Sequence, residues 1–83
     1  MLRETPYAKE IRPHAEINGG RIERLEIKSS GEEEIRFSWW KDGRLIPRPL
    51  DLPEHELSSL FRKAIENGIF TDGLLQELRA ILA

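Results

Sequence analysis

Asp42-Gly43, set between Arg36–Lys41 and Arg44–Leu50, constrains this chain more than any other pair of residues. A two-residue hairpin turn of the type that matches strand twist needs positive φ at both central positions, and Asp-Gly adopts it at low cost. The flanking residues therefore pair antiparallel, with Trp40 opposite Leu45, Trp39 opposite Ile46 and Phe37 opposite Arg48. Opposed residues share a face of the sheet. That register puts Ile35, Phe37, Trp39, Ile46 and Leu50 on a core side and Arg36, Ser38, Trp40, Leu45, Pro47 and Pro49 on the other. Pro47 and Pro49 donate no ladder hydrogen bonds, so this strand is expected at an edge and irregular in its second half.

The same logic extends toward the amino terminus. Asn18-Gly19-Gly20 is a second hairpin turn between a short strand, His14–Ile17, and a longer one, Arg21–Lys28. Leu25 and Ile27 share a face, and Ile22 has the opposite parity, which points to a bulge or an edge contact there. Ser29-Ser30-Gly31 suits a three-residue loop with glycine left-handed. Counting back from it sets Lys28 opposite Glu32 and Leu25 opposite Ile35. Residues 1–13, with two prolines and no periodicity, read as an arm that is loosely ordered unless docked.

After Leu50 the period changes from two to 3.6. Pro53 suits a first helical turn, with Asp51 placed to cap and Glu54 to complete a capping box. Leu57, Leu60, Phe61, Ala64 and Ile65 form one stripe, and Gly68 ends the helix. Thr71 caps a second helix whose Leu74, Leu75, Leu78, Ile81 and Leu82 make a wide apolar face. The expected fold is α+β: a four-stranded antiparallel meander over residues 14–50, followed by helices over about 53–67 and 72–82 packed on one face, in a single domain 14–83.

Composition limits function. With 83 residues the chain is one domain, and without cysteine it has neither disulfides nor thiolate metal sites, which favours a reducing, cytoplasmic home. Apolar runs are too short for a membrane span. The net charge of −2 argues against coating duplex DNA. Enzymatic chemistry has little support. His14 and His55 are the only histidines, Glu32-Glu33-Glu34 reads as a solvated strand start, and Ser58 and Ser59 sit mid-helix. No cofactor or metal is expected.

Arg36–Arg48 reverses the overall charge, with four bases against Asp42 alone, and it carries both tryptophans. Arg36, Trp40, Lys41, Arg44, Leu45, Pro47 and Arg48 are the candidate binding residues. With Trp40 stacking on a base and the cations on phosphates, they would form a surface for single-stranded nucleic acid in a small regulatory module. Alternatively, Trp40, Leu45 and Pro47, or the leucine-rich last helix, anchor a protein partner. A third possibility is that the arm, through Tyr7 and Ile11, covers Trp40. The wide last helix also suits a homodimer seam.

From Arg21 onward, RIERLEIKSSGEEEIRFSWWKDGRLIPRPLDLPEHELSSL resembles the positive-cofactor-four-like family of single-stranded DNA-binding transcriptional coactivators. The matching positions are Ile35-Arg36, Trp39, Gly43, Pro47 and Leu52–Glu56. The resemblance implies a strand meander leading into a helix, a dimer built through that helix, and single-stranded DNA as partner. The chain departs from that pattern in lacking lysine-rich strands and in adding the helix Thr71–Leu82.

Overall fold

The structure, a computed structural model, describes residues 2–83 and is α+β: a curled antiparallel sheet followed by two helices. Among the described residues the sheet has six strands rather than four: β1 (Ala8–Glu10), β2 (Ala15–Ile17), β3 (Gly20–Ile27), β4 (Glu33–Lys41), β5 (Arg44–Leu45) and β6 (Leu50–Leu52). Two long strands, β3 and β4, form its spine. On one side β1 and β2 share the edge of β3, and on the other β5 and β6 share the edge of β4. Helices α1 (Glu54–Glu66) and α2 (Asp72–Leu82) complete the chain.

Both hairpin turns form as the residues dictate. Asn18 and Gly19 (φ 50° and 87°) link β2 to β3, and Asp42 and Gly43 (φ 52° and 75°) link β4 to β5. Trp40 pairs with Leu45 and Lys41 with Arg44, and the Ile46 N–H donates to the Trp39 carbonyl at 2.8 Å. Beyond Ile46 the expected pairing stops. Arg48 takes φ 67°, and the strand loops out across its two prolines before rejoining β4 with Leu50 opposite Phe37. Arg48 is therefore not the partner of Phe37.

The β3–β4 register differs from expectation by one residue. Leu25 pairs with Glu34, and Ile35 with Arg24. The loop has four residues, Lys28–Gly31, because the Ile27 N–H closes onto the Glu32 carbonyl at 2.8 Å and the Gly31 N–H returns to the Ile27 carbonyl at 2.7 Å. Gly31 is left-handed in either loop (φ 73°), so the glycine alone does not select the length. Lys28 pairs with Glu4 instead of Glu32. The slip has a large consequence, since one residue moves a side chain to the other face. Leu25 and Ile35, expected to touch, lie on opposite faces. Ile22 needs no bulge, because it pairs regularly with Phe37 and with Ala15.

The arm is part of the sheet. Ala8, Lys9 and Glu10 pair with Ile27, Glu26 and Leu25, and the Glu10 N–H donates to the Arg3 carbonyl at 2.8 Å. Helix α1 begins after Pro53 with no side-chain cap, because the Asp51 carboxylate is held by Arg36 and Glu54 pairs with Arg24. Its end is a Schellman motif: the N–H groups of Gly68 and Ile69 return to the Ile65 and Ala64 carbonyls. Thr71 caps α2 by accepting the Leu74 N–H at 3.2 Å. Helix α1 lies against β4, and Phe61 meets Phe70 edge-on at 5.7 Å between ring centroids, while α2 lays no extended face on the sheet. Among the described residues no helix is long and apolar enough to cross a membrane.

Candidate functional site: an open apolar groove

Register divides the sheet into two faces of opposite character. Arg21, Glu23, Leu25 and Ile27 of β3 share one face with Ala8 and Glu10 of β1, Arg36, Ser38 and Trp40 of β4, Leu45 and Asp51. The amino-terminal arm covers this face. Ile22, Phe37, Trp39, Leu50, Ile35 and Leu52 share the other with Ala15 and Ile17. Helix α1 covers only part of this second, open face.

The covered face is buried yet charged. Glu23 is 1% exposed and Glu10 4%, alongside Leu25 and Ala8. Burying a carboxylate is costly unless it is paired and hydrogen-bonded. Arg3 supplies the pairing: its Nη2 donates to Glu23 Oε2 at 2.7 Å, and its backbone N–H donates to Glu10 Oε1 at 3.0 Å. Ser38 Oγ donates to Glu23 Oε1 at 3.1 Å and accepts the Trp40 indole N–H at 3.0 Å. His14 Nδ1 lies 3.0 Å from Glu10 Oε2. Burial pushes the Glu10 carboxyl upward, but the hydrogen bonds from His14 and from the Arg3 backbone, with both positive charges, hold it below its ordinary value.

Trp40 belongs to this network. The Arg3 guanidinium lies over its ring at 4.6 Å from the centroid and the Arg21 guanidinium at 4.1 Å. Two cations over one indole, with its N–H satisfied, place Trp40 in the structure rather than in a stacking platform. The arm does cover it, through Arg3. Tyr7, expected to help, is exposed. Arg36 is also committed, donating twice to Asp51 at 2.8 and 2.9 Å, and that bidentate bond raises its pKa further.

The remaining candidates point elsewhere. Leu45 is half-buried opposite Trp40. Lys41 and Arg44 pair at the hairpin end on the same face as Trp39, exposed and without an ion-pair partner among the described residues. Pro47 and Arg48 do not join Trp40 and Leu45; they line a groove with Trp39. Trp39, read from sequence as core, is 61% exposed.

That groove, about 710 Å³, is open to solvent and walled by Ile17 and Ile22 on one side and by Ile46, Pro47 and Leu50 on the other, with Phe37 and Trp39 as its floor. Gly19 makes room at its end: a Cβ there would lie 2.5 Å from the Trp40 carbonyl and 3.4 Å from the Trp39 ring. The groove is the expected core face without its cover. Alternation correctly gathers Ile35, Phe37, Trp39, Ile46 and Leu50 on one side, but only Ile35, nearest α1, is buried.

These features define a small α+β domain with a charged, arm-clamped interior on one face of its sheet and an unroofed apolar groove on the other. Compared with protein-family models, curated proteins and solved structures, the chain matches none.

Proposed function

We propose that this chain is a non-enzymatic protein-interaction module whose groove on the Trp39 face receives an apolar segment of a protein partner. The observation that carries this reading is the exposure of Trp39 among Ile17, Ile22, Pro47 and Leu50, a contiguous surface of the kind that marks contact sites. Aromatic and aliphatic walls with few charges suit an amphipathic helix laid into a groove. Absence of cysteine among 83 residues suits work in the reducing cytoplasm.

A second reading has its own observation. Trp39 shares its face with Lys41 and Arg44, and Arg48 lines the groove. One exposed indole beside three cations is the minimum for stacking single-stranded nucleic acid. The aliphatic walls favour protein, because Ile, Leu and Pro offer no aromatic ring to stack on a base.

Titration with a neutral, leucine-rich amphipathic peptide and, separately, with oligo-dT separates the two, using Trp39 fluorescence in a Trp40→Phe variant. Protein binding predicts that the peptide shifts the emission to the blue, that added salt changes the affinity little, and that Ile17→Glu removes the response. A response to oligo-dT alone, lost steeply with salt, would overturn it in favour of nucleic acid.

A further inference from the structure

The groove is not the only apolar surface the chain leaves bare. Helix α2 carries Leu74, Leu78, Ile81 and Leu82 at i, i+4, i+7 and i+8, which is one stripe of an amphipathic helix. At its far end Ile81 is 76% and Leu82 84% exposed. The helix turns beside Phe61 and Phe70 and does not reach the Trp39 groove. One chain thus presents an apolar trough and an apolar ridge that do not touch.

Size says how much surface is in question. A folded monomer of 9.7 kDa is expected to expose about 5,100 Å². This chain exposes 6829 Å². The excess of roughly 1,700 Å² is what each subunit of an obligate dimer contributes, since such interfaces bury about 2,000–5,000 Å² in total. The radius of gyration agrees: 14.4 Å, where about 12 Å is expected for a chain of this length. The chain therefore carries enough uncovered surface for an interface of that size.

Charge agrees with α2 as the occupant, although by a single net charge. Lys41 and Arg44 stand on the groove face and Arg48 lines the groove, whereas α2 has Asp72 and Glu77 against Arg79. The trough is basic at its rim and the ridge is acidic on balance. Ridge and trough therefore complement each other in apolarity and in sign.

Resting on the protein-binding reading of the groove, we infer that its occupant is α2 of a second copy of this chain, exchanged reciprocally about a two-fold axis. Each protomer places its Leu74–Leu82 stripe over the partner's Trp39 floor, and the exchange closes at two copies because both troughs are then filled. Lys41, Arg44 and Arg48 stand at the rim, where Glu77 flanks the stripe of the incoming helix.

Sedimentation velocity of the full chain and two variants tests this. Ile17→Glu places a charge in the groove, and Ile81→Glu/Leu82→Glu places two on the ridge; all three positions are already exposed, so the fold should persist by circular dichroism. Leu50→Glu is the second groove variant should Ile17→Glu lose native ellipticity. The unmodified chain should sediment as a dimer, and each variant alone should associate about tenfold or more weakly. An equimolar mixture of the two should recover part of the dimer, because the mixed pair keeps one native groove and one native ridge that fit. A monomer at near-millimolar concentration would overturn the exchange, as would a dimer that the ridge variant leaves intact or a mixture without recovery. In any of those cases a response of Trp39 to the amphipathic peptide would still uphold the groove as a protein site, and its loss would remove both.

Discussion

Adjacent residues of one strand, Trp39 and Trp40, live in opposite environments, and the contrast reverses the usual arrangement of a small domain. The Trp40 face is buried and charged: Arg3, Glu10, Glu23, Ser38 and Arg36 form its hydrogen-bonded interior. The Trp39 face is apolar and open. Hydrophobic burial is ordinarily the dominant favourable contribution to folding, yet here the carboxylate-bearing face is buried and much of the apolar face stays in water. If a second copy fills the groove as proposed, the polar face fixes which conformation forms and the apolar face supplies the association.

The sharpest way to break this comparison is to remove charge from the covered face. Glu23 is fully buried with Arg3 and Ser38 as partners, so Glu23→Gln leaves Arg3 without its main counter-ion. Breaking one half of a buried pair costs about 3–5 kcal/mol, and urea denaturation should show a loss of that size. A change under about 1 kcal/mol would mean that the network does not hold the fold.

Next in size is the joint between the faces. Gly19 combines φ 87° with a 2.5 Å clash for any Cβ against the Trp40 carbonyl. Gly19→Ala should therefore cost about 1–3 kcal/mol in the same measurement. A neutral result would show that the β2–β3 hairpin does not buttress β4.

Acid acts on the covered face through Glu10. Because the Glu10 pKa is lowered in the folded chain, the unfolded chain takes up this proton first as pH falls. Stability from Glu10 is thus fully present above its ordinary value of 4.5 and declines as pH drops from there through the folded value. Glu10→Gln should flatten the pH dependence of the denaturation midpoint below that point; an unchanged slope would exclude Glu10 as its source. Smallest is the effect of Trp39→Glu on a dilute monomer: within about 0.5 kcal/mol, as at other exposed positions.

Local chemistry made much of this fold readable in advance. Asp42-Gly43 and Asn18-Gly19 demand positive φ, and both turns sit where they should. Thr71 and the leucine stripe define α2 almost to the residue. The misreadings share a cause, which is that they depend on partners distant in sequence. Gly31 fits a loop of three or four residues, so the register slipped. Tyr7–Glu10 has no apolar alternation, so β1 was hidden. The burial of Glu10 and Glu23 has no signal in the sequence, because nothing local announces that Arg3 will neutralise them. Phe37, Trp39, Ile46 and Leu50 are grouped correctly but assigned to the interior, and Pro47 is expected on the other face, since apolar alternation shows which residues share a face and not whether the same chain covers it.

The separation of the two indoles is tested most directly by acrylamide quenching of single-tryptophan variants, Trp40→Phe reporting Trp39 and Trp39→Phe reporting Trp40, across a dilution series. Trp40 should be protected at every concentration, whereas Trp39 should be readily quenched when dilute and become protected as the proposed association sets in. A Trp40 more accessible than Trp39 in the dilute chain would contradict that separation.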